Sequence, residues 1–245
     1  MAIYEDAEFY DIEFSTRDRE IPFFRKQAQA SGGPILEVAC GTGRITLPIA
    51  SDGIEVSGLD VSAPMIERAR MHAESAGLQV HWYIQDCRDI RIDSRFALVF
   101  SATNAMQHLL EIESVCAFLT SARRVLRPGG TLIIDVFHPN IAKLFRKANQ
   151  RYVHKTITPP DGVPIMIEAA SHYQSDTQIL QFDLYYMRAG KHIRTKHVNM
   201  RCFFPEELRA ICLHNGFKIK ERFGNYDESS FHANSSKQIL VLEAS

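Results

Sequence analysis

The chain is expected to fold as an α/β protein around a mostly parallel sheet of seven strands, with a smaller antiparallel element inserted late. Two observations carry this expectation. From Ile35 to Val136, short apolar runs alternate with amphipathic helical stretches, the rhythm of strands joined by helical crossovers. From residue 151 to about 203 the helical period disappears, and β-branched and aromatic residues recur at strand spacing.

The elements follow in order. Phe9-Tyr10-Asp11 belongs to an extended start, and Ile21 to Ala28 is an amphipathic helix with Pro22 near its beginning, where a missing N–H costs little. Ser31-Gly32-Gly33-Pro34 ends it. Ile35–Val38 is the first strand, followed by a glycine turn and a helix from about Arg44 to Ser51. Glu55–Leu59 is the second strand, and Ala63–Ala76 is a helix stopped by Gly77. Gln79–Ile84 and Phe96–Phe100 are the third and fourth strands, the latter continuously apolar and therefore buried on both faces. Glu113–Leu126 is a helix, Arg127-Pro128-Gly129-Gly130 a turn, and Thr131–Val136 the fifth strand. Candidate strands of the insertion are Tyr152–Thr158, Ile165–Tyr173, Ile179–Met187 and His192–Met200, with turn signals at Asp161-Gly162 and Ala189-Gly190. Pro205–Asn215 is the last helix, and Phe217–Phe223 and Gln238–Leu242 complete the sheet. The expected division is one domain of residues 1–139 and 204–245, interrupted by a lid of residues 140–203.

Bulk properties narrow the function classes. A net charge of -1 and a pI near 6.8 provide no field to recruit nucleic acid or an anionic membrane. No stretch approaches the roughly 20 apolar residues of a membrane helix, and the first 20 residues do not resemble a targeting peptide. Five scattered cysteines without a CxxC pair argue for a reducing compartment, and ten histidines show no ligand spacing. A cytoplasmic, metal-free protein is the expectation.

The chemistry concentrates at residues 37–43, Glu-Val-Ala-Cys-Gly-Thr-Gly, where the first strand gives way to a helix. Gly41 and Gly43 let the backbone pass close to a ligand, and open α/β sheets bind ligands at strand carboxyl ends. The third glycine of a dinucleotide fingerprint is missing, because its position holds Thr46. An acid, Glu37, sits on the strand and aims at the turn. It would repel a diphosphate and attract an ammonium group. Asp60 ends the second strand, 17 residues after Gly43, where a carboxylate accepts both hydroxyls of a ribose. Asp86 ends the third strand, where an acceptor suits an exocyclic adenine amine. A ligand with an amine, a ribose and an adenine but no phosphate is S-adenosylmethionine.

These residues together resemble the class I methyltransferases, with their E/D-x-x-x-G-x-G loop, an acid after the second strand, an aspartate after the third and an L-x-P-G-G turn before the fifth. Here the motifs are Glu37–Gly43, Asp60, Asp86 and Leu126-Arg127-Pro128-Gly129-Gly130. The resemblance covers roughly residues 9 to 140 and implies the Rossmann-like class I fold with S-adenosylmethionine as cofactor. It places Met65 against the adenine and the backbone of Cys87 beside the ring, and it draws Tyr10 and Arg25 over the methionyl part. Ala39, Val61 and Ser101, next to these motifs, complete the expected cofactor shell.

The segment Ser101–Leu109 after the fourth strand is expected to line the floor near the reactive methyl. It carries neither the acidic pair of aminopropyltransferases nor the N/D-P-P-Y/F signature of nucleobase and glutamine methyltransferases, which leaves a small-molecule acceptor. His108 is the leading candidate for a base or an acceptor-orienting group, with His138 second. Asn104, Gln107, His138, Tyr186 and Tyr226 are the candidate acceptor contacts. Within the insertion, strand alternation puts Phe182, Leu184 and Tyr186 on one face and Asp183 and Tyr185 on the other. Phe9-Tyr10-Asp11, Gln107-His108-Leu109 and Gly224-Asn225-Tyr226-Asp227 resemble the toxoflavin-type azapteridine methyltransferases, and amino-sugar N-methyltransferases share the general layout. N-methylation in antibiotic or toxin biosynthesis is the expectation, with O-methylation the alternative. A dinucleotide-dependent reductase and a non-catalytic ligand-binding protein remain the rivals on fold. The chain is expected to act as a monomer, or as a homodimer through the insertion.

Overall fold

The structure, a computed structural model, describes residues 6–145, 147 and 150–244. Strands β1 (Ile35–Val38), β2 (Val56–Asp60), β3 (His81–Ile84), β4 (Phe96–Ser101), β5 (Leu126–Phe137), β10 (Phe217–Phe223) and β11 (Lys237–Ala244) form one seven-stranded sheet in the order β10-β11-β5-β4-β1-β2-β3. β11 runs antiparallel to both neighbours, and the remaining pairings are parallel. The order reverses between β1 and β4, so the crevice of such a sheet opens there, beyond the strand carboxyl ends.

Helices cover both faces. α2 (Ile21–Ser31) and α3 (Thr46–Ser51) pack Phe24, Ala28 and Ile49 on one side, with Phe24 stacked on Phe100 at 4.6 Å. α5 (Ile112–Val125) and α7 (Pro205–His214) bury Phe118, Leu119 and Leu208 on the other. α4 (Ala63–Ser75) lies against β2 and β3 with Ile66 and Ala69 buried. No helix among the described residues is long and apolar enough to cross a membrane.

The insertion forms its own antiparallel sheet, β6 (Tyr152–Ile157), β7 (Ile165–Gln174), β8 (Ile179–Arg188) and β9 (Lys191–Arg201), in sequential order. A short helix, α6 (Ile141–Leu144), precedes it. Gln107 clips both ends of the insertion to the sheet. Its side-chain amide donates to Arg201 O at 2.8 Å and accepts from Phe137 N at 3.0 Å.

The N-terminal segment differs from the extended start expected of it. Ala7–Phe14 is a helix, α1, capped by Asp6, whose carboxylate accepts from Phe9 N at 3.0 Å. It is short and only weakly amphipathic by sequence, and its contacts come from distant parts of the chain. Asp11 pairs with Arg68 on α4 at 2.7 Å. Phe9 packs edge-on against Tyr186 of β8 at 5.4 Å. Glu13 is buried between Lys196 (2.6 Å), Lys155 (3.3 Å) and the Tyr186 hydroxyl, which donates to it at 3.0 Å. Tertiary contact therefore decides the conformation, as is usual for helices this short. α1 straps the insertion to the parallel sheet.

Candidate active site

A cavity of about 590 Å³ lies at the β1/β4 switch point, within the size range of small-molecule sites. One wall is made of strand-end turns. The carboxylate of Asp60, at the end of β2, accepts from Gly41 N and from Ser62 N, both at 2.9 Å, and so locks the β1 turn to the β2 end. Gly41 has φ +58°, and a Cβ there would sit 3.5 Å from the Tyr10 hydroxyl, so ring and turn are closely apposed. Burial raises the Asp60 carboxyl above its ordinary range despite these donors, and it pushes the Tyr10 phenol up to about 12. Asp86 caps a 3-10 turn at Cys87–Asp89, and its carboxylate takes the Arg88 guanidinium at 2.6 Å. Met65 is buried on α4, and burial pushes the Cys87 thiol up to about 12, which leaves it protonated and unreactive near neutrality.

The floor follows β4. Ser101, Thr103, Ala105 and His108 line it. Thr103 and Asn104 have φ +53° and +68°, uncommon for any residue other than glycine and strained for a β-branched one. Buried Asp135 on β5 holds them there. Its carboxylate accepts from Thr103 N at 2.7 Å and its carbonyl from Asn104 N at 3.0 Å. His108 hydrogen-bonds to the backbone of Asn199 on β9, and burial lowers its pKa, so it is an uncharged imidazole at neutral pH. Lid residues His197 and Asn199 close the far wall.

Residues 35–130 match the family model of a methyltransferase domain. The chain is 23% identical over 200 residues to a ubiquinone biosynthesis O-methyltransferase of Xylella fastidiosa, covering 76% of this chain and 80% of that one. Its fold superposes on the CcbJ methyltransferase from Streptomyces caelestis with a TM-score of 0.80 at 26% identity, over 93% of this chain and 90% of the other. It also superposes on CalS10, an amino pentose methyltransferase from Micromonospora echinaspora solved with S-adenosylmethionine, with a TM-score of 0.75 at 17% identity, over 97% of each chain. The protein is an S-adenosylmethionine-dependent methyltransferase. The dinucleotide reductase reading falls away.

The methyltransferase brings ten of the expected site residues to the cavity wall: Tyr10, Ala39, Gly41, Asp60, Val61, Met65, Asp86, Cys87, Ser101 and His108. The others lie elsewhere, each for a visible reason. Arg25 is on the outer surface, its side chain 43% exposed and paired with Asp52. Two arginines do reach the cavity: Arg88, paired with Asp86, and Arg17, held at 3.0 Å by buried Glu20. Glu37 sits behind the turn, where the Thr46 hydroxyl donates to it, and burial pushes its carboxyl up to about 8. Gly43 faces away from the cavity, since a Cβ there would come within 2.8 Å of the Trp82 ring. It is a packing glycine.

The acceptor contacts depart further from expectation. Gln107 spends its amide on the clip to the insertion. Asn104 accepts from Lys237 at 3.2 Å, His138 pairs with Ser235 O at 2.9 Å, and Tyr226 donates to Asp135 at 2.7 Å. Tyr226 thereby buttresses the strained loop. Tyr186 is fully buried against α1. Missed by sequence reasoning were Phe14, Arg17, His197 and Asn199. Tyr10 and Phe14 are four residues apart and share one face of α1, and Arg17 lies three residues beyond the helix end. That signal was available once α1 is treated as a helix.

Proposed function

We propose that this methyltransferase methylates an amine nitrogen on a small polar acceptor of amino-sugar type. The observation that carries the reading is which face of the lid borders the cavity. Tyr186, Phe182 and Tyr173 belong to apolar clusters against α1 and α6, whereas the lid residues at the cavity are His197 and Asn199. A flat heteroaromatic acceptor would find no phenyl, phenol or indole ring of the insertion to stack on. An acceptor rich in hydroxyls and carrying an amine finds hydrogen-bonding partners. An amino pentose methyltransferase and a sugar N-methyltransferase share this fold over 97% and 95% of the chain.

The residues present fit the cofactor. In this reading Asp60 would take the ribose hydroxyls, Asp86 and the Cys87 backbone the adenine edge, and Arg17 with Tyr10 the methionyl end, all of them lining the one cavity. When bound, S-adenosylmethionine supplies a methyl group already activated on a sulfonium. The chain's own task is alignment and exclusion of water, effects of proximity worth roughly 7–11 kcal/mol. His108 contributes an uncharged imidazole, which neither repels an amine nor protonates it. The test is release of adenosylhomocysteine with a panel of amino sugars and catechols. Turnover on the amines alone supports the reading, and turnover confined to the catechols replaces it. O-methylation is the second reading, favoured by the identity to ubiquinone biosynthesis O-methyltransferases.

A further inference from the structure

The polar face of the lid sheet holds a second recess of about 300 Å³, lined by Ser171, His172, Gln181, Asp183, His197 and Asn199 around Ala170. It shares His197 and Asn199 with the main cavity, so the two spaces meet at β9. We propose that this recess is the acceptor subsite, binding the hydroxylated body of an amine-bearing small molecule whose reactive end enters the main cavity. The proposal rests on the methyltransferase acting on an amine and adds where that acceptor is gripped.

Strand register builds the subsite. His172, Gln181 and Asn199 oppose one another across β7, β8 and β9, and Ala170, Asp183 and His197 form the next row. The small Ala170 leaves the recess open beside Asp183. In these rows amide, imidazole and carboxylate groups alternate, a polar lining whose donors and acceptors suit hydroxyls and an ammonium. Asp183 Oδ1 lies 2.6 Å from His197 Nδ1, so Nδ1 donates to the carboxylate and the pair holds the imidazole at the recess wall. The Tyr185 hydroxyl donates to the other carboxylate oxygen at 3.4 Å. The guanidinium of Arg151 lies 3.6 Å over the Tyr185 ring and pairs with Glu168 at 3.7 Å, closing the polar row toward β6. His197 is thus a ring of fixed position on the wall where the two spaces join.

The test uses the full-length isotopically labelled protein saturated with adenosylhomocysteine, with glucosamine and 3,4-dihydroxybenzoate as probes, followed by amide and imidazole chemical shifts. Glucosamine is expected to shift His172, Gln181, Asp183, His197 and Asn199, and the catechol to leave them in place. Asp183→Asn and His172→Ala, neither of which lines the main cavity, should each weaken glucosamine binding by about tenfold with adenosylhomocysteine affinity unchanged. Both positions are exposed enough for the variants to fold. A silent recess with adenosylhomocysteine bound, or glucosamine shifts confined to other surfaces, overturns the subsite alone. Failure of adenosylhomocysteine to bind overturns the cofactor site and the subsite with it.

Discussion

One side of the cavity, the proposed cofactor side, is made of backbone turns at strand ends, whereas the other, the proposed acceptor side, is made of side chains on the face of a sheet. At the strand ends the position of each group follows from short-range rules. A parallel strand stops, the chain turns, and the next residue points into the crevice; Asp60, Asp86 and Ser101 all arrive this way. On the lid, a residue reaches the cavity only if its strand face happens to point there, and that depends on which face α1 covers. The Tyr186 face is covered and the His197 face is open. The difference teaches that cofactor chemistry is written locally here, and acceptor chemistry is written in long-range packing.

The strap between the two regions is the point at which to break this comparison. Replacing Glu13 by Ala leaves Lys196 and Lys155 without their buried partner, and removing one member of such a pair costs about 3 kcal/mol. In a chain of this size that corresponds to a fall in Tm of roughly 6–12 °C, read by calorimetry. Burial opposes ionisation of Glu13, but the two lysines outweigh it and hold its carboxyl below the ordinary range. Its contribution is therefore present above the unfolded carboxyl range and is lost as pH falls through the folded value. The alanine variant should show a smaller loss of stability in acid than the wild type.

On the cofactor side, Asp60→Ala removes a charged acceptor and also frees Gly41 N and Ser62 N. Hydrogen bonds to charged groups contribute about 1.5–3 kcal/mol each, so adenosylhomocysteine should bind about 100-fold more weakly in calorimetric titration. Arg17→Ala should weaken the same ligand by about tenfold and leave 5′-methylthioadenosine, which lacks the amino-acid end, unaffected. Arg25→Ala should change neither. An equal effect of the two arginine variants would return the methionyl contact to the outer helix.

The smallest effect concerns Glu37. Its folded pKa, near 8, is raised by burial, so its stabilising contribution is complete below the unfolded carboxyl range and is lost as pH rises through about 8. Glu37→Gln should flatten the decline in Tm between the unfolded carboxyl range and about pH 8. A wild-type Tm that stays level across that interval would show the carboxylate already matched by a charge.

The parallel domain was legible because its strands are continuous apolar runs and its turns carry glycines, so Ile35–Val38 and Phe96–Ser101 stand where the pattern puts them. The four lid strands were legible from β-branched and aromatic residues at strand spacing and from the turns at Asp161-Gly162 and Ala189-Gly190. What stayed hidden was orientation. Gly41 and Gly43 look alike in sequence, but only the neighbouring Trp82 ring makes the second a packing residue. Arg25 sits on a clear amphipathic helix and drew attention from Arg17, which follows a helix of weak pattern stabilised by lid contacts. Gln107 and Tyr226 are polar residues near strand ends, and their partners, Arg201 and Asp135, lie more than ninety positions away.

The most direct test is a crystal structure with adenosylhomocysteine bound. The predicted result places the ribose on Asp60, the adenine between Met65 and the Asp86–Cys87 turn, and the amino-acid end beside Tyr10 and Arg17, with the sulfur open toward His108 and His197. A ligand bound outside the strand-end cavity, or one with its amino-acid end at Asp86 and its adenine at Arg17, would contradict the account.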